Sequence, residues 1–377
     1  MRAALDVVLV VAGAAIVVST MVSAVRSTIL PRSAQNRLSR WSTIAVRLVF
    51  RLRARRSSSY QRRDRIMAML GPAALLTMLI AWLVLVTAGY ALVYFAVTGW
   101  SWKQSLELSG SSVVTLGATA GGSLAASVLS YSEAGIGLLV VALLITYLPS
   151  IYGAFSRREI GVSLLRVRAG TPPRATTMLI RYHDIDEAHY RLTELWRQWE
   201  SWFVDVEETH TTFPVLGFFR SPQPEQSWVT AAGALLDAAS FWVAAIEHPA
   251  DPDAKLCIRA GFQALQRVAA VFDVPFDPDP QPGDPLNVSR SEWELAMDEM
   301  AAAGLPLLAD RDGAWSDWAG WRVNYDALVL NLARLFEAPP APWLSDRSPV
   351  AADHRSTLRR TLTTLPRPSS RARRPGR

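Results

Sequence analysis

The chemistry most plainly on offer in this chain is that of oxygen atoms arranged by a flexible backbone. Between two long apolar runs lies Ser109-Gly-Ser-Ser-Val-Val-Thr-Leu-Gly-Ala-Thr-Ala-Gly-Gly122, dense in hydroxyls and glycines. A segment that enters a bilayer and leaves on the same side carries backbone groups that lipid cannot satisfy, so it must be buried in protein or line water. A cation pathway suits such a segment, because inward-pointing carbonyls replace an ion's hydration shell. Glycine is required where the backbone takes positive φ to aim those carbonyls, and a threonine hydroxyl adds one more oxygen below them. The alternative reading is an ordinary extracellular loop rich in serine and glycine.

Other reactive side chains are sparse. His183-Asp-Ile-Asp-Glu-Ala-His189 places His183 beside Asp186 and Glu187, and Asp186 beside His189, on one helical surface. Such a set could hold a divalent metal, but a solvated helix face is the simpler reading, and no metal site is assigned. The lone cysteine, Cys257, lies between Leu256 and Ile258 and reads as an inert core thiol; being alone, it forms no intramolecular disulfide. Asp237, in Leu-Leu-Asp-Ala-Ala, is either a buried partner for an arginine or a polar-face residue. There is no glycine-rich phosphate loop, dinucleotide fingerprint, zinc spacing or nucleophile elbow. The chain is therefore not read as an enzyme, and no cofactor is implied.

Apolar helices must position the Ser109–Gly122 segment. Val7 to Val25 is 19 residues without a charge, enough to cross a hydrocarbon core of ~30 Å at 1.5 Å per residue. A signal peptide cleaved near Val22-Ser23-Ala24 is the rival reading. Ile66 to Val97 is 32 uncharged residues, about 48 Å if wholly helical and longer than the core, so tilt is expected. Gly71-Pro72 suits its first turn. Trp82 would sit inside, with Tyr90, Tyr94, Trp100 and Trp102 forming an outer aromatic belt. Gly135 to Tyr152 makes a third span. Gly135 and Gly137 permit bending there, and Pro149 removes a backbone hydrogen bond, so Gly137 and Pro149 are the gating candidates near the inner mouth. Simple packing contacts are the alternative for the glycines.

Charge sets the orientation. Of the 39 basic residues only Lys103 and Lys255 are lysine, and Arg26 to Arg65 holds twelve arginines against one acid, Asp64. That excess puts the loop on the cytoplasmic side, and Arg157 and Arg158 put the end of the third span there too. The N-terminus and Trp100–Ser132 then lie outside, and the long C-terminal part inside. The net charge of +6 does not point to nucleic acid, because the arginines cluster beside apolar spans. Within the first cluster, Trp41, Ile44, Val46, Leu48, Val49, Phe50 and Leu52 mix with Arg40, Arg47, Arg51 and Arg53. This is either a basic helix at headgroup level, drawn to an anionic inner leaflet, or a solvated linker. No span carries arginines at three-residue spacing, so nothing supports voltage sensing.

From Arg157 to Glu337 the pattern is helical, with no alternating strand pattern of any length. One long helix is expected over Thr176–His210, broken at Phe213-Pro214; others over Glu225–Glu247 and Ala254–Phe272. Asp273 to Pro285 contains five prolines and reads as a loop. Ser289-Arg-Ser-Glu292 is a capping box opening a helix to Ala303, ended by Gly304, and Trp315–Phe336 is the last helix. Beyond it the chain turns to Pro, Ser, Thr and Arg, a composition that cannot bury enough apolar surface to fold.

The stretch Ser109-Gly-Ser-Ser-Val-Val-Thr-Leu-Gly resembles the pore helix and filter of the potassium channel superfamily. Thr115, Leu116 and Gly117 match that family's first three filter positions, while Ala118 and Thr119 stand where it has an aromatic residue and a second glycine. The chain is also similar to bacterial membrane proteins assigned to that family, over Leu148–Glu159, Thr209–Ser221 and Ser227–Ala239. The resemblance implies a selectivity filter at Thr115, Leu116, Gly117, Ala118 and Thr119, monovalent (K⁺-like) cations as the passenger, and a homotetramer around one pore. The expected architecture is an all-α protein of the bacterial cell membrane. It has a first span and Arg-rich loop (1–65), a pore module of outer helix, re-entrant loop and inner helix (66–156), a helical cytoplasmic domain (157–337) and a basic tail (338–377). The alternative is a non-conducting membrane scaffold whose cytoplasmic domain binds a partner.

Overall fold

A computed structural model describes residues 2–29, 37–55, 60–117, 122–185 and 192–346. These residues form helices and no strand, apart from one isolated bridge between Ile246 and Leu307. Along the chain come α1 (Arg2–Thr28), α2 (Arg37–Arg55), α3 (Tyr60–Ala68), α4 (Leu70–Thr98), the short α5 (Trp102–Val113) and the long α6 (Leu124–Ala169). Then follow α7 (Ala175–Ile185), α8 (Leu192–Thr212), a 3₁₀ turn η1 (Pro214–Phe218), α9 (Trp228–Ala245), α10 (Pro252–Val271), α11 (Arg290–Ala302), α12 (Arg311–Arg322) and α13 (Asp326–Leu335).

Among the described residues, four helices are long and apolar enough to cross a membrane: Arg2–Thr28, Arg62–Thr98, Leu124–Ala169 and Trp228–Ala245. Three of them coincide with the apolar runs expected to span. The fourth, α9, differs in kind, since 94% of its apolar stretch is buried inside the protein. It forms the centre of a tryptophan-rich core with α8, α10, α12 and α13. Its apolarity is that of a helix surrounded on every side by other helices.

The first three apolar helices pack together as small residues dictate. A Cβ on Gly13 of α1 would lie 2.4 Å from the Gly89 carbonyl of α4, and one on Gly89 would lie 2.7 Å from Val17. Backbones this close are the usual way in which apolar helices gain contact where lipid offers no hydrophobic drive. Trp82 is fully buried at the same interface and donates its indole N–H to Ser23 Oγ at 3.2 Å. Tyr90 and Tyr94 do not form an outer belt; they are 7% and 0% exposed. The Tyr90 hydroxyl meets Ser132 Oγ at 2.9 Å, so these rings face α5 and α6 and leave the rim to half-exposed Trp102.

Other boundaries shift for local reasons. The third apolar helix does not stop near Tyr152 but runs unbroken through Pro149 to Ala169, joining the membrane-type part to the helical body. Gly161 lets this helix pack closely on α8, because a Cβ there would sit 2.3 Å from Trp202 Nε1. The helix expected over Thr176–His210 is α7 and α8, with residues 186–191 between them outside the described part. The helix expected over Trp315–Phe336 is α12 and α13, parted where Asn324 turns its side-chain amide onto the carbonyls of Gly320 and Trp321. The ordered body also passes Glu337: Leu344 is buried against Gly233, and the Trp343 carbonyl accepts from Arg322. Residues 347–377 of the expected basic tail lie outside the described part.

Candidate functional site

The helix α5 begins with a capping box, Ser101 Oγ on the Gln104 N–H and the Gln104 side chain on the Ser101 N–H. It lies between α4 and α6, and its inward face is polar: Ser105, Ser109 and Ser112 are all buried. Ser109 Oγ sits 2.9 Å from the Thr87 carbonyl of α4 and 2.5 Å from Glu133 Oε1 of α6. Ser112 Oγ meets Ser130 Oγ at 2.6 Å. Glu133 is fully buried, and its second carboxylate oxygen has no direct hydrogen-bond partner among the described residues. Sequence reasoning passed over Glu133, although a lone acid opening an 18-residue apolar run was a visible signal.

Polar contacts thus tie α5 to both of its neighbours. Replacing Glu133 by leucine removes the Ser109–Glu133 bond, while Ser109 keeps the Thr87 carbonyl and Ser112 keeps Ser130. The expected cost is about 1–3 kcal/mol, with most of it recovered in Glu133→Gln, checked by thermal unfolding of the purified protein.

The end of α5 carries the residues singled out above. Leu116 N–H bonds to the Ser111 carbonyl at 2.9 Å and Thr115 N–H to the Ser112 carbonyl at 3.0 Å. This nested pair is the Schellman ending, which puts one residue in left-handed conformation, and here that residue is Thr115 at φ 57°. A β-branched residue in this region is strained by about 1–3 kcal/mol. Gly117 follows at φ 62°. Thr115, Leu116 and Gly117 are all exposed on the isolated chain, Leu116 at 73%. Ala118 and Thr119 lie outside the described residues. Gly137 of α6 faces this turn, since a Cβ there would be 2.1 Å from the Val113 carbonyl. It is a point of close approach between α6 and the end of α5. Gly135, two residues earlier, has open space around its Cβ position.

Pro149 sits one turn from a second junction. Around it, Tyr147 stacks edge-on to Phe213 with centroids 5.3 Å apart, and Phe155 lies 5.9 Å from Phe219. Phe219 also fills the space over Gly71 at the start of α4. The segment 213–219 is thereby wedged between the roots of α4 and α6. Its polar anchor is Arg158, fully buried, which donates to the carbonyls of Leu216 (3.0 Å) and Phe219 (2.8 Å) and to Glu159 Oε1 (2.9 Å). The same guanidinium lies 3.2 Å from His210 Nε2, and His210 Nδ1 is 2.8 Å from the Val206 carbonyl. The His210 ring also packs on Trp228 of α9 at 4.7 Å. The stretches 148–159, 209–221 and 227–239 meet here through Arg158, His210 and Trp228.

Burial, and then the Arg158 charge, push the His210 pKa well below the ordinary imidazole value. The unfolded chain therefore binds the proton that the folded one refuses. His210 contributes stability that is complete above about pH 6.5 and is lost as the pH falls below it. Unfolding followed by tryptophan fluorescence should show this acid-side loss, and His210→Gln should flatten it.

Of the remaining candidates, Cys257 is a buried thiol whose pKa burial raises, as expected of a core residue. Asp237 is the buried partner of an arginine: Arg322 Nη1 bonds it, Arg322 Nε bonds Asp326 at 2.9 Å, and the Tyr325 hydroxyl donates to Asp237 at 2.9 Å. His183 lies on α7, while Asp186, Glu187 and His189 lie outside the described residues; among the described residues no group of three metal-ligating side chains forms. Comparison of the chain with protein-family models, curated proteins and solved structures returned no match.

Proposed function

We propose that this chain is a channel-like membrane protein that passes monovalent cations passively through a pore built from four copies. In this reading α1, α3–α4 and α6 span the bacterial cell membrane and α5 is the re-entrant pore helix. Thr115, Leu116, Gly117, Ala118 and Thr119 line the narrow part. The observation that carries it is the ending of α5: a polar helix held between two apolar ones delivers consecutive residues, Thr115 to Gly117, in a turn with two left-handed positions. Left-handed backbone is what re-aims carbonyls toward an axis. The exposure of Leu116 fits a surface that neighbouring copies would cover.

In this reading the arginine clusters favour a cytoplasmic side for α2, the start of α3 and the helical body from α7 onward. The close contact at Gly137 would carry a displacement of α6 to the filter. Pro149 is where α6 would give, beside the 213–219 wedge.

The assembly is tested by the mass of the detergent-extracted particle. A particle of four chains supports a central pore, and a monomer excludes it. An intact tetramer that passes no ion would favour the scaffold reading, with the helical body as the recruiting surface.

A further inference from the structure

A cavity of about 510 Å³ opens between the α2–α3 segment and the end of α13. Its volume falls within the ordinary range of ligand sites, roughly 300–1,000 Å³. Four arginines line it, Arg51, Arg63, Arg220 and Arg334, against three acids, Asp64, Glu337 and Asp346. Their pairing is uneven. Arg220 is saturated, bonding Asp64 Oδ1 at 2.8 Å and the carbonyls of Glu337 and Phe336 at 2.9 and 3.2 Å. Arg51 and Arg63 share the single carboxylate of Glu337, at 3.1 and 3.7 Å, and both stay nearly half exposed. Arg334 is exposed and has no ion pair among the described residues. With Asp64 taken by Arg220, the cavity lining keeps three arginines, Arg51, Arg63 and Arg334, against two acids, Glu337 and Asp346.

The local backbone explains the arrangement. Glu337 closes α13 at φ 51°, with the Ala338 N–H on the Ala333 carbonyl at 2.8 Å. Glycine is the usual residue at such a left-handed ending, and a side chain there is disfavoured. The strained glutamate is what reaches α2 and α3. Arg47 of α2 adds a bond to the Leu335 carbonyl at 2.7 Å, so cations gather at the negative end of the α13 dipole.

We propose that this cavity binds a phosphate-bearing anion, held by Arg51, Arg63 and Arg334, that bridges the α2–α3 segment to the end of α13. Guanidinium forks match phosphate oxygens in charge and geometry. Asp64 and Met67 in the cavity wall flank the start of the apolar stretch that continues into α4. The phosphate can therefore come from a lipid headgroup or from a soluble ligand, and the site would link either to the root of α4. The proposal stands apart from conduction and holds for a channel or a scaffold alike.

The test uses the full chain in two arms. In detergent, pyrophosphate is titrated calorimetrically at constant ionic strength. In nanodiscs, thermal unfolding is compared between phosphatidylcholine alone and phosphatidylcholine with phosphatidic acid. Arg334→Gln is the decisive variant, because that exposed, unpaired side chain holds no part of the fold. Saturable pyrophosphate binding, weakened about tenfold or more in Arg334→Gln, supports a soluble ligand. Stabilisation by phosphatidic acid that Arg334→Gln loses, with no pyrophosphate binding, supports the headgroup. The proposal is overturned if neither arm shows a saturable effect, or if Arg334→Gln responds as the unaltered chain does.

Discussion

Arg322→Met is expected to destabilise the helical body by about 3–5 kcal/mol, the usual result of leaving buried carboxylates without their cation. Arg322 is fully buried, as are Asp237 and Asp326 to within a few per cent. Burial acts against the guanidinium's charge, but Asp237 and Asp326 outweigh it and hold the group more firmly protonated than a free arginine. The arginine also bonds the Trp343 carbonyl at 2.7 Å, so its loss frees the chain end packed on Gly233. A double variant, Arg322→Met with Asp237→Leu, should lose less than Arg322→Met alone. Asp326 keeps two hydrogen bonds from Asn287, at 2.9 and 2.6 Å, and tolerates the change better. Denaturant titration of the purified protein gives both values; equal loss in the single and double variants would mean that the triad is not the source of the cost.

Gly137→Val is expected to have the largest effect on the membrane-type part. The added side chain would start 2.1 Å from the Val113 carbonyl, a backbone atom that no rotamer change can move. Overpacking of this kind costs about 1–3 kcal/mol or more, and α5 must shift away from α6 to relieve it. The Leu116 and Thr115 hydrogen bonds that close α5 lie in the same turn, so the displacement falls directly on the candidate filter. Unfolding temperature should drop, and any ion flux should fall to the background of empty liposomes. Gly135→Val is the matched control, since its Cβ meets open space, and it should leave both nearly unchanged.

Elements whose signals are local were legible in the sequence. Ser289 and Glu292 form the capping box around the start of α11, Gly304 follows that helix at φ 85°, and the proline-rich stretch after Val271 forms no helix. The order of long helix, short helix, long helix around Thr115–Gly117 was also readable, because apolar run length and polar breaks fix it. What was not legible depends on partners distant in the chain. Nothing near Arg158 announces that its guanidinium will be buried on the carbonyls of Leu216 and Phe219. Asp237 could be settled only by the arrival of Arg322 from α12. Tyr90 and Tyr94 read as an interfacial belt because aromatic residues near the end of an apolar run usually are one; both instead pack in a cluster with Leu108 and Val113 of α5 and Ala126 of α6, where the Tyr90 hydroxyl meets Ser132.

The Arg-rich segment shows the same limit. Its pattern allowed a headgroup-level helix or a solvated linker, and it is a helix, α2, docked on the helical body. Arg47 and Arg51 bind Leu335 and Glu337, and Val46 and Ala54 are buried. Leu48, Val49 and Leu52 stay exposed on another part of its surface. One helix thus carries both a protein-facing and an outward apolar face, and composition alone cannot divide them.

The most direct test of the account is ion flux through liposomes that contain the purified protein, under separate K⁺ and Na⁺ gradients, with Gly117→Asp as the control. The account predicts flux in the unaltered protein that the variant abolishes, and the K⁺/Na⁺ ratio then reports what Ala118 and Thr119 do to selectivity. Absence of flux from an intact tetramer, or flux that Gly117→Asp leaves untouched, would contradict a cation pathway at the end of α5.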